Sequence, residues 1–542
     1  MLNSKQSPTL ETIEAALENT IPNALTRSAH KWPDRVGLVD FDLDLRMTYR
    51  EMDERANRLA NALSELGVAR GSKVAFVLLN SHAIYECYFG IPRLGAINVP
   101  INYRFSAEEL LHVIDDSDAE VLIVDGTLMP AINEVRARMQ NVRKIIVYRP
   151  IQDMDPNDIE YEACLASASA VAPDVTVSAT DVANIMFTSG TTGRPKGCIM
   201  THMAYTSMAM VCAMELGAHR WSQQDKYLNV TPSFHGGSWT FCLMAVMCGN
   251  LVVTLRSFAP EKVYRAIEAE NISFTWLAAP MYSAMTSSPP PANCDISSLR
   301  LLASAAAPLT TALRKRVVDC FPEVILLDWL GQTEQSCLVM GLTDPADIER
   351  KDACIGLPVA LVQAAVVNDD GDPVERGEIG ELVTRSPFLL REYYKNPTAT
   401  AEALRDGWFF TGDMARQDDE GYFYLVGRKK DIIITGGENV PSVAVEEVLY
   451  ELPEVLEAAV IGTPHDKWGE CVTAFVVIKP DTEMTEEQIS SFCRQRLTHY
   501  MIPRRIIFQP ELPKSSVGKI NKLSLRADFG SSDLYGSETT QI

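Results

Sequence analysis

The 542-residue sequence is short of positive charge: 49 lysines and arginines stand against 71 aspartates and glutamates, a formal net charge of −22. A nucleic acid or an acidic membrane face is therefore disfavoured as the main partner, and any phosphate must be held in a local pocket of lysine or backbone amides. A metal-cluster signature is missing as well. The twelve cysteines are scattered, with no CxxC pair and no Cys/His group at metal-ligand spacing, and they read as reduced core thiols. No apolar run is long enough to span a membrane. The best candidate, Trp239 to Leu255, is interrupted by Gly249 and Asn250 and reads as a buried helix turning into a strand. Met1 to Thr20 is polar and lacks the apolar stretch of a secretory leader, and the terminal Thr-Thr-Gln-Ile carries no peroxisomal or lipidation signal. The expectation is a cytoplasmic protein with no integral membrane segment.

What is present is the balance of a folded protein of at least two domains, 46% hydrophobic and 22% charged. Helical periodicity over Asp53 to Leu66 and Glu86 to Leu94 alternates with short apolar strands at Lys73 to Leu79, Ala96 to Ile101, Glu120 to Val124 and Lys144 to Tyr148. That alternation predicts an α/β fold, with helix-covered parallel sheets in a large N-terminal domain. From about Gly371 the pattern becomes strand and turn, predicting a β-rich subdomain. After the basic cluster Arg428-Lys429-Lys430 a small mobile α+β domain begins, so the division expected is 1–428 and 429–542.

The most informative segment is Thr188-Ser189-Gly190-Thr191-Thr192-Gly193-Arg194-Pro195-Lys196-Gly197, entered from the apolar strand Val182 to Phe187. Three glycines and four hydroxyl side chains in ten positions make a loop whose backbone N–H groups can surround a phosphate, with Lys196 adding charge. Its spacing is not that of a Walker A loop.

This segment resembles the phosphate loop of the adenylate-forming (ANL) superfamily, in particular its acyl-CoA synthetase branch of fatty-acid and aryl-acid CoA ligases. Other segments resemble that superfamily in its own order, over nearly the whole chain. Ser304 to Leu309, with Ala306, Ala307 and Pro308, resembles the small-residue segment against which adenine and acyl group lie. Gly331-Gln332-Thr333-Glu334 resembles the motif whose glutamate binds Mg²⁺, and Trp408 to Asp413 the motif whose aspartate accepts both ribose hydroxyls. Gly427 to Asp431 resembles the hinge, with Arg428 near the ribose and Lys430 at the pivot. Thr435-Gly436-Gly437-Glu438-Asn439 resembles the loop lining the thiol tunnel, and Leu512 to Ile520 the segment with the catalytic lysine, here Lys519.

The resemblance implies ATP, Mg²⁺ and coenzyme A as cofactors and a small-molecule carboxylic acid as substrate. Lys519, Glu334 and His235 would then be the catalytic residues, and a homodimer is left open. Pro232 to Trp239 resembles the segment whose histidine lies beside the acyl and thiol channels. Amino-acid-activating members carry an aspartate just after the aromatic of this segment, whereas His235-Gly236 stands here, favouring a non-amino acid. Trp239, Phe241, Leu243 and Met244 fit either an acyl lining or plain core. Three positions depart from the pattern: Leu330 where an adenine-stacking aromatic is usual, with Trp329 adjacent; Ala305 for a glycine; and Ala444 for a glutamate, which predicts a looser interior of the small domain. An acyl-AMP ligase charging a carrier protein, a luciferase-like oxygenase and a non-enzymatic relative remain as alternatives.

Overall fold

The computed structural model describes residues 19–151, 154–188, 195–217, 225–305, 309, 311–351, 354–514 and 520–529. The chain divides into two compact units. The first holds the residues up to Thr188, Pro195–Gln363 and Arg385–Gly407; the second holds Ala364–Thr384 and the chain from Trp408 onward.

Two sheets build the first unit. In one, Lys73–Val77 lies between Ile97–Pro100 and Ala119–Asp125, which continues to Lys144–Tyr148 and Ile159–Glu160, all parallel. On its other side Ile97–Pro100 is followed by β1 (Val182–Phe187) and then by β2 (Gly197–Thr201), antiparallel to β1. The helices of this unit form for reasons written locally. Tyr49–Glu65 starts at Thr48, whose side chain accepts from Glu51 N while the Glu51 carboxylate accepts from Thr48 N. It then buries Met52, Ala56, Leu59 and Leu63 at helical spacing.

Helix α1 (Gly236–Cys248) is apolar on every side and has ten buried residues, so it is a core helix, and Leu251–Thr254 follows it as a strand. Among the described residues no helix is long and apolar enough to cross a membrane. Trp239 stacks on Tyr88 at a centroid distance of 4.0 Å, and Phe241 stacks on Trp329 at 5.5 Å. Deleting a ring so enclosed costs ~3–5 kcal/mol. The second sheet carries β3 (Phe274–Leu277), β4 (Leu301–Ser304) and β5 (Ile325–Leu330) in parallel, then β6 (Met340–Leu342) antiparallel to β5. A two-residue strand, β7 (Glu392–Tyr393), closes the first sheet at β2.

In the second unit, β8 (Trp408–Gln417) pairs antiparallel with Gly380–Arg385 and with β9 (Phe423–Arg428). Beyond them, β10 (Ile432–Thr435) and β11 (Glu438–Pro441) form a hairpin in a sheet with Val455–His465, Gly469–Ile478 and Arg505–Phe508. Two of these strands are longer than their apolar centres at Ala458 to Ile461 and Thr473 to Ile478 suggest. Helices Ser442–Tyr450, Glu486–Arg494 and Lys522–Phe529 complete it. The α/β class with a β-rich segment and a smaller α+β part is therefore as expected. The looser interior expected from Ala444 is not found. Glu446, two residues on, accepts from Val460 N and pairs with Lys522 at 2.7 Å, and Arg526 pairs with Asp431 at 2.8 Å.

A partly buried ionic network joins five elements of the first unit. Arg55 bonds Glu86 and Glu162, Tyr161 donates to Glu86, and His82 lies between Asp40 at 3.1 Å and Glu162 at 3.5 Å, with the Tyr148 hydroxyl at 3.4 Å. Burial opposes a charge on His82, but the hydrogen bonds to Asp40 and Glu162 and the charge of Glu86 prevail and raise it to about 9. The His82 bond, resisted by burial and aided by Arg55, holds Glu162 down to about 2. Because His82 is raised above its ordinary 6.5, its contribution is complete below that pH and is lost as pH rises through about 9. Glu162 works in the other sense, losing its contribution as pH falls from 4.5 through about 2. The melting temperature of the unsubstituted protein is expected to fall more steeply between about pH 7 and about pH 10 than that of His82→Gln. Scanning calorimetry over that range checks this, and parallel slopes refute it.

Candidate active site

The described ends of the Thr188–Gly197 segment belong to a hairpin. Its stems, β1 and β2, pair Phe187 with Gly197, and the neck is closed by Thr188 N to Lys196 O at 2.9 Å and Lys196 N to Thr188 Oγ1 at 3.4 Å. Ser189, Gly190, Thr191, Thr192 and Gly193 lie outside the described residues, as do Ala306, Ala307, Pro308 and Lys519. The described ends of this hairpin leave Lys196 at its mouth.

A second hairpin, between β5 and β6, carries Gly331, Gln332, Thr333 and Glu334. Cross-strand pairs Trp329–Gly341 and Leu330–Met340 set its register, and residues Thr333–Gln335 form a single 3₁₀ turn. The loop is tight enough that a Cβ on Gly331 would sit 1.2 Å from Cys337 O, so no other residue fits there. Helix α1 packs its first turn against the same loop: Thr240 Oγ1 donates to Ser336 O at 3.1 Å, and a Cβ on Gly236 would meet Ser336 O at 3.3 Å and Met186 Sδ at 3.4 Å. His235 is therefore placed at the N-terminal end of α1 beside the Glu334 loop and β1.

Tyr393, which sequence reasoning did not single out, joins the two hairpins. Its hydroxyl donates to Glu334 Oε1 at 2.9 Å, and Lys196 Nζ lies 4.3 Å from its ring centroid. The residue is 4% exposed. The one sequence signal available was the pair of tyrosines before Lys395-Asn396-Pro397.

Other expectations resolve differently. Trp239 and Phe241 are core, as are Leu243 and Met244, each essentially inaccessible. Trp329 is 5% exposed, stacked on Phe241 and laid over Gly341, so it does not replace the aromatic absent at Leu330, which is half-buried. In the neighbouring register, burial pushes Asp328 up to about 6 against the lowering effect of Arg314.

The second unit brings Asp413 and Arg428 together as a cross-strand pair of β8 and β9, with Arg428 Nε 2.7 Å from Asp413 Oδ1. Asp413 is 2% exposed and its backbone N–H donates to Thr411 Oγ1 at 3.0 Å. Lys429 reaches back to Asp369 at 2.8 Å and Glu381 at 3.0 Å, and both Lys429 and Lys430 are exposed. Gly436 and Gly437 are the two-residue turn of the β10–β11 hairpin, with φ of +61° and +88°, the mirror-image turn that glycine favours. Gly436 lies against Trp468, accepting no side chain of its own because a Cβ would meet that ring at 2.7 Å. Trp468 was also missed from sequence.

The residues fit Mg²⁺ of one kind only. Among the described residues no group of three His, Cys, Asp or Glu side chains converges, so there is no all-protein cage. Glu334 offers one carboxylate, with Oε1 taken by Tyr393 and Oε2 without a hydrogen bond among the described residues, which suits an ion that brings water and nucleotide phosphates as its other ligands.

Comparison with known proteins agrees with this geometry. The family model for the AMP-binding enzyme matches residues 25–394, and that for the AMP-binding enzyme C-terminal domain matches residues 444–519. The chain is 35% identical over 491 residues to the long-chain-fatty-acid–CoA ligase FadD13 of Mycobacterium tuberculosis (strain CDC 1551 / Oshkosh), covering 91% of this chain and 95% of that one. It superposes on the anthranilate CoA ligase AuaEII, solved with anthranoyl-AMP, at a TM-score of 0.86 and 27% identity, over 95% and 98% of the two chains. On ATP-bound MatB from Rhodopseudomonas palustris the TM-score is 0.85 at 26% identity, over 95% and 100%. With both family models matched in order along most of its length, the chain belongs to the AMP-binding enzyme family and is an AMP-forming acid–CoA ligase.

Proposed function

We propose that this chain activates a non-amino carboxylic acid with ATP and Mg²⁺, releases pyrophosphate, and transfers the acyl group from the acyl-adenylate to coenzyme A. The observation that carries the reading is the convergence of Lys196 and Glu334, from hairpins of two different sheets, on Tyr393. A cation for phosphate and a carboxylate for a metal at one place is what a triphosphate requires.

A carboxylate is a poor electrophile because its charge repels nucleophiles. Attack of its oxygen on the α-phosphorus makes a mixed anhydride, from which a thiol displaces AMP. Charge spreads over the phosphoryl oxygens in the first step, so the residues act by position and electrostatics. Lys519 contacts the carboxylate and the α-phosphate, while the phosphate-loop donors and Lys196 hold the β- and γ-phosphates. Glu334 would hold Mg²⁺, which would supply positive charge beside the phosphates. Asp413 and Arg428 serve the ribose, Leu330 gives adenine an aliphatic contact, and Gly436 and Gly437 line the thiol path. The non-amino preference is supported by His235, which stands directly after Phe234 where amino-acid-activating members carry an aspartate.

The functional division lies between residues 428 and 429, and the C-terminal family match beginning at 444 supports it. The protein works in the cytoplasm, in fatty-acid or aryl-acid metabolism, and a homodimer is compatible with the reading.

Pyrophosphate release with ATP and Mg²⁺ across short, medium, long and aromatic acids, with and without coenzyme A, tests the function. Acid-dependent release with an acyl-CoA product is expected. Release without thioester points to a carrier protein or an oxygenase, and no release with any acid refutes the reading. Losing one well-aimed donor costs ~3–4 kcal/mol of barrier, so Lys519→Ala is expected to slow adenylation by at least ~10² while sparing thioester formation from supplied acyl-AMP. Equal loss in both half-reactions counts against the role of Lys519. Lys430→Pro is expected to impair thioester formation more than adenylation; normal thioester formation by that variant argues against a moving C-terminal domain.

A further inference from the structure

The first unit's site holds two opposite charges that do not pair with each other. Lys196 and Glu334 both approach Tyr393, yet no ion pair links them among the described residues. The cation lies on the face of the ring and the anion at its hydroxyl. A benzene-like face attracts an ammonium, and a phenol O–H bonds a carboxylate, so one side chain satisfies both charges at different atoms.

The ring is not free to move. The backbone of β7 pairs with β2, placing Tyr393 opposite Cys198. On either side, Arg391 N donates to Ile199 O at 2.9 Å and Tyr394 N to Gly197 O at 2.7 Å, while Leu390 N donates to Glu334 O at 2.6 Å. Tyr393 N donates to Thr400 Oγ1 at 3.0 Å. The segment that carries the ring is thus bonded both to the stem of the phosphate loop and to the turn that carries Glu334.

We propose that Tyr393 is a positioning residue that keeps Lys196 and Glu334 apart, the ammonium aimed at nucleotide phosphate and Glu334 Oε2 at Mg²⁺. This rests on the ligase reading above. Without the hydroxyl the carboxylate loses its anchor and turns to the neighbouring ammonium, and each charge then neutralises the other instead of its ligand. Using Oε1 for the tyrosine also restricts the carboxylate to one metal-facing oxygen, which suits the octahedral preference of Mg²⁺ better than a bidentate grip.

The test is calorimetric binding of ATP to the full chain, with Mg²⁺ and with EDTA, in the unsubstituted protein, Tyr393→Phe, and Tyr393→Phe combined with Lys196→Met. Tyr393→Phe keeps the ring and its packing. It is expected to reduce the gain in ATP affinity that Mg²⁺ brings by ~10-fold, the usual worth of a hydrogen bond to a charged group. Affinity in EDTA should fall too, but by less than affinity with Mg²⁺, because the captured ammonium no longer meets the phosphates, and the melting temperature should hardly change. In the double variant no ammonium remains to capture Glu334, so the Mg²⁺-dependent gain is expected to recover while affinity in EDTA falls. An unchanged Mg²⁺ gain in Tyr393→Phe overturns the proposal. So does an equal loss with and without Mg²⁺, which marks a packing residue, and so does a double variant without recovery. Failure of the unsubstituted protein to bind ATP under either condition overturns the ligase reading itself, a result distinct from all of these.

Discussion

Two backbone hydrogen bonds made by one short segment hold the first unit's site in register: Leu390 N to Glu334 O and Tyr394 N to Gly197 O. Each is worth only ~0.5–1.5 kcal/mol net, so they do not stand by themselves. Phe388 and Leu390 are buried on the same segment, and Ser336 Oγ donates to Phe388 O at 3.0 Å. Apolar packing thus supplies the stability and the hydrogen bonds supply the register. Because the segment bonds to the necks of both hairpins, a shift in either one is felt by the side chains of Lys196, Glu334 and Tyr393 together.

The two units handle charge in opposite ways. In the second, Asp413 and Arg428 are paired across neighbouring strands, and the aspartate is nearly inaccessible. Burying the aspartate costs desolvation that offsets much of the attraction, and the half-exposed arginine is screened by solvent. Its value is geometric: one carboxylate oxygen is fixed, and with it the direction of the other. In the first unit the same end is reached by interposing a ring. Both devices fit a chain of net charge −22, where a loose cation would be drawn to any of many carboxylates.

How much of this was written visibly in the sequence depended on separation along the chain. The phosphate loop was legible because glycines, hydroxyls and lysine fall within ten positions, and the 331–334 motif because a glycine that tolerates a tight turn precedes the glutamate by three. Tyr393 was not, because its role arises from pairing with Cys198, a strand contact that no local pattern encodes. Trp468 was missed for the same reason, since it meets Gly436 only through the sheet. Trp329 and Leu330 show the period-two ambiguity of a strand. The sequence says that one of them faces each side of the sheet, but only the packing of Phe241 tells which side is core. Ala444 misled because a missing carboxylate was visible, whereas the bond from Glu446 to Lys522 spans from one helix to another.

Helix α1 shows the same limit from the side of the substrate. Its apolar run was compatible with an acyl lining, but a helix buried all round has no face left for a ligand. Its N-terminal end, from His235 to Thr240, adjoins the Glu334 loop, and there the edge of the Trp276 ring comes within 3.3 Å of where a Cβ on Gly237 would lie. Trp276 is near the C-terminal end of β3, the end of a parallel sheet at which ligands are generally met. What adjoins the Glu334 loop is thus a strand end and a glycine turn. A residue there acts by its bulk against a neighbouring element, which composition and periodicity do not reveal.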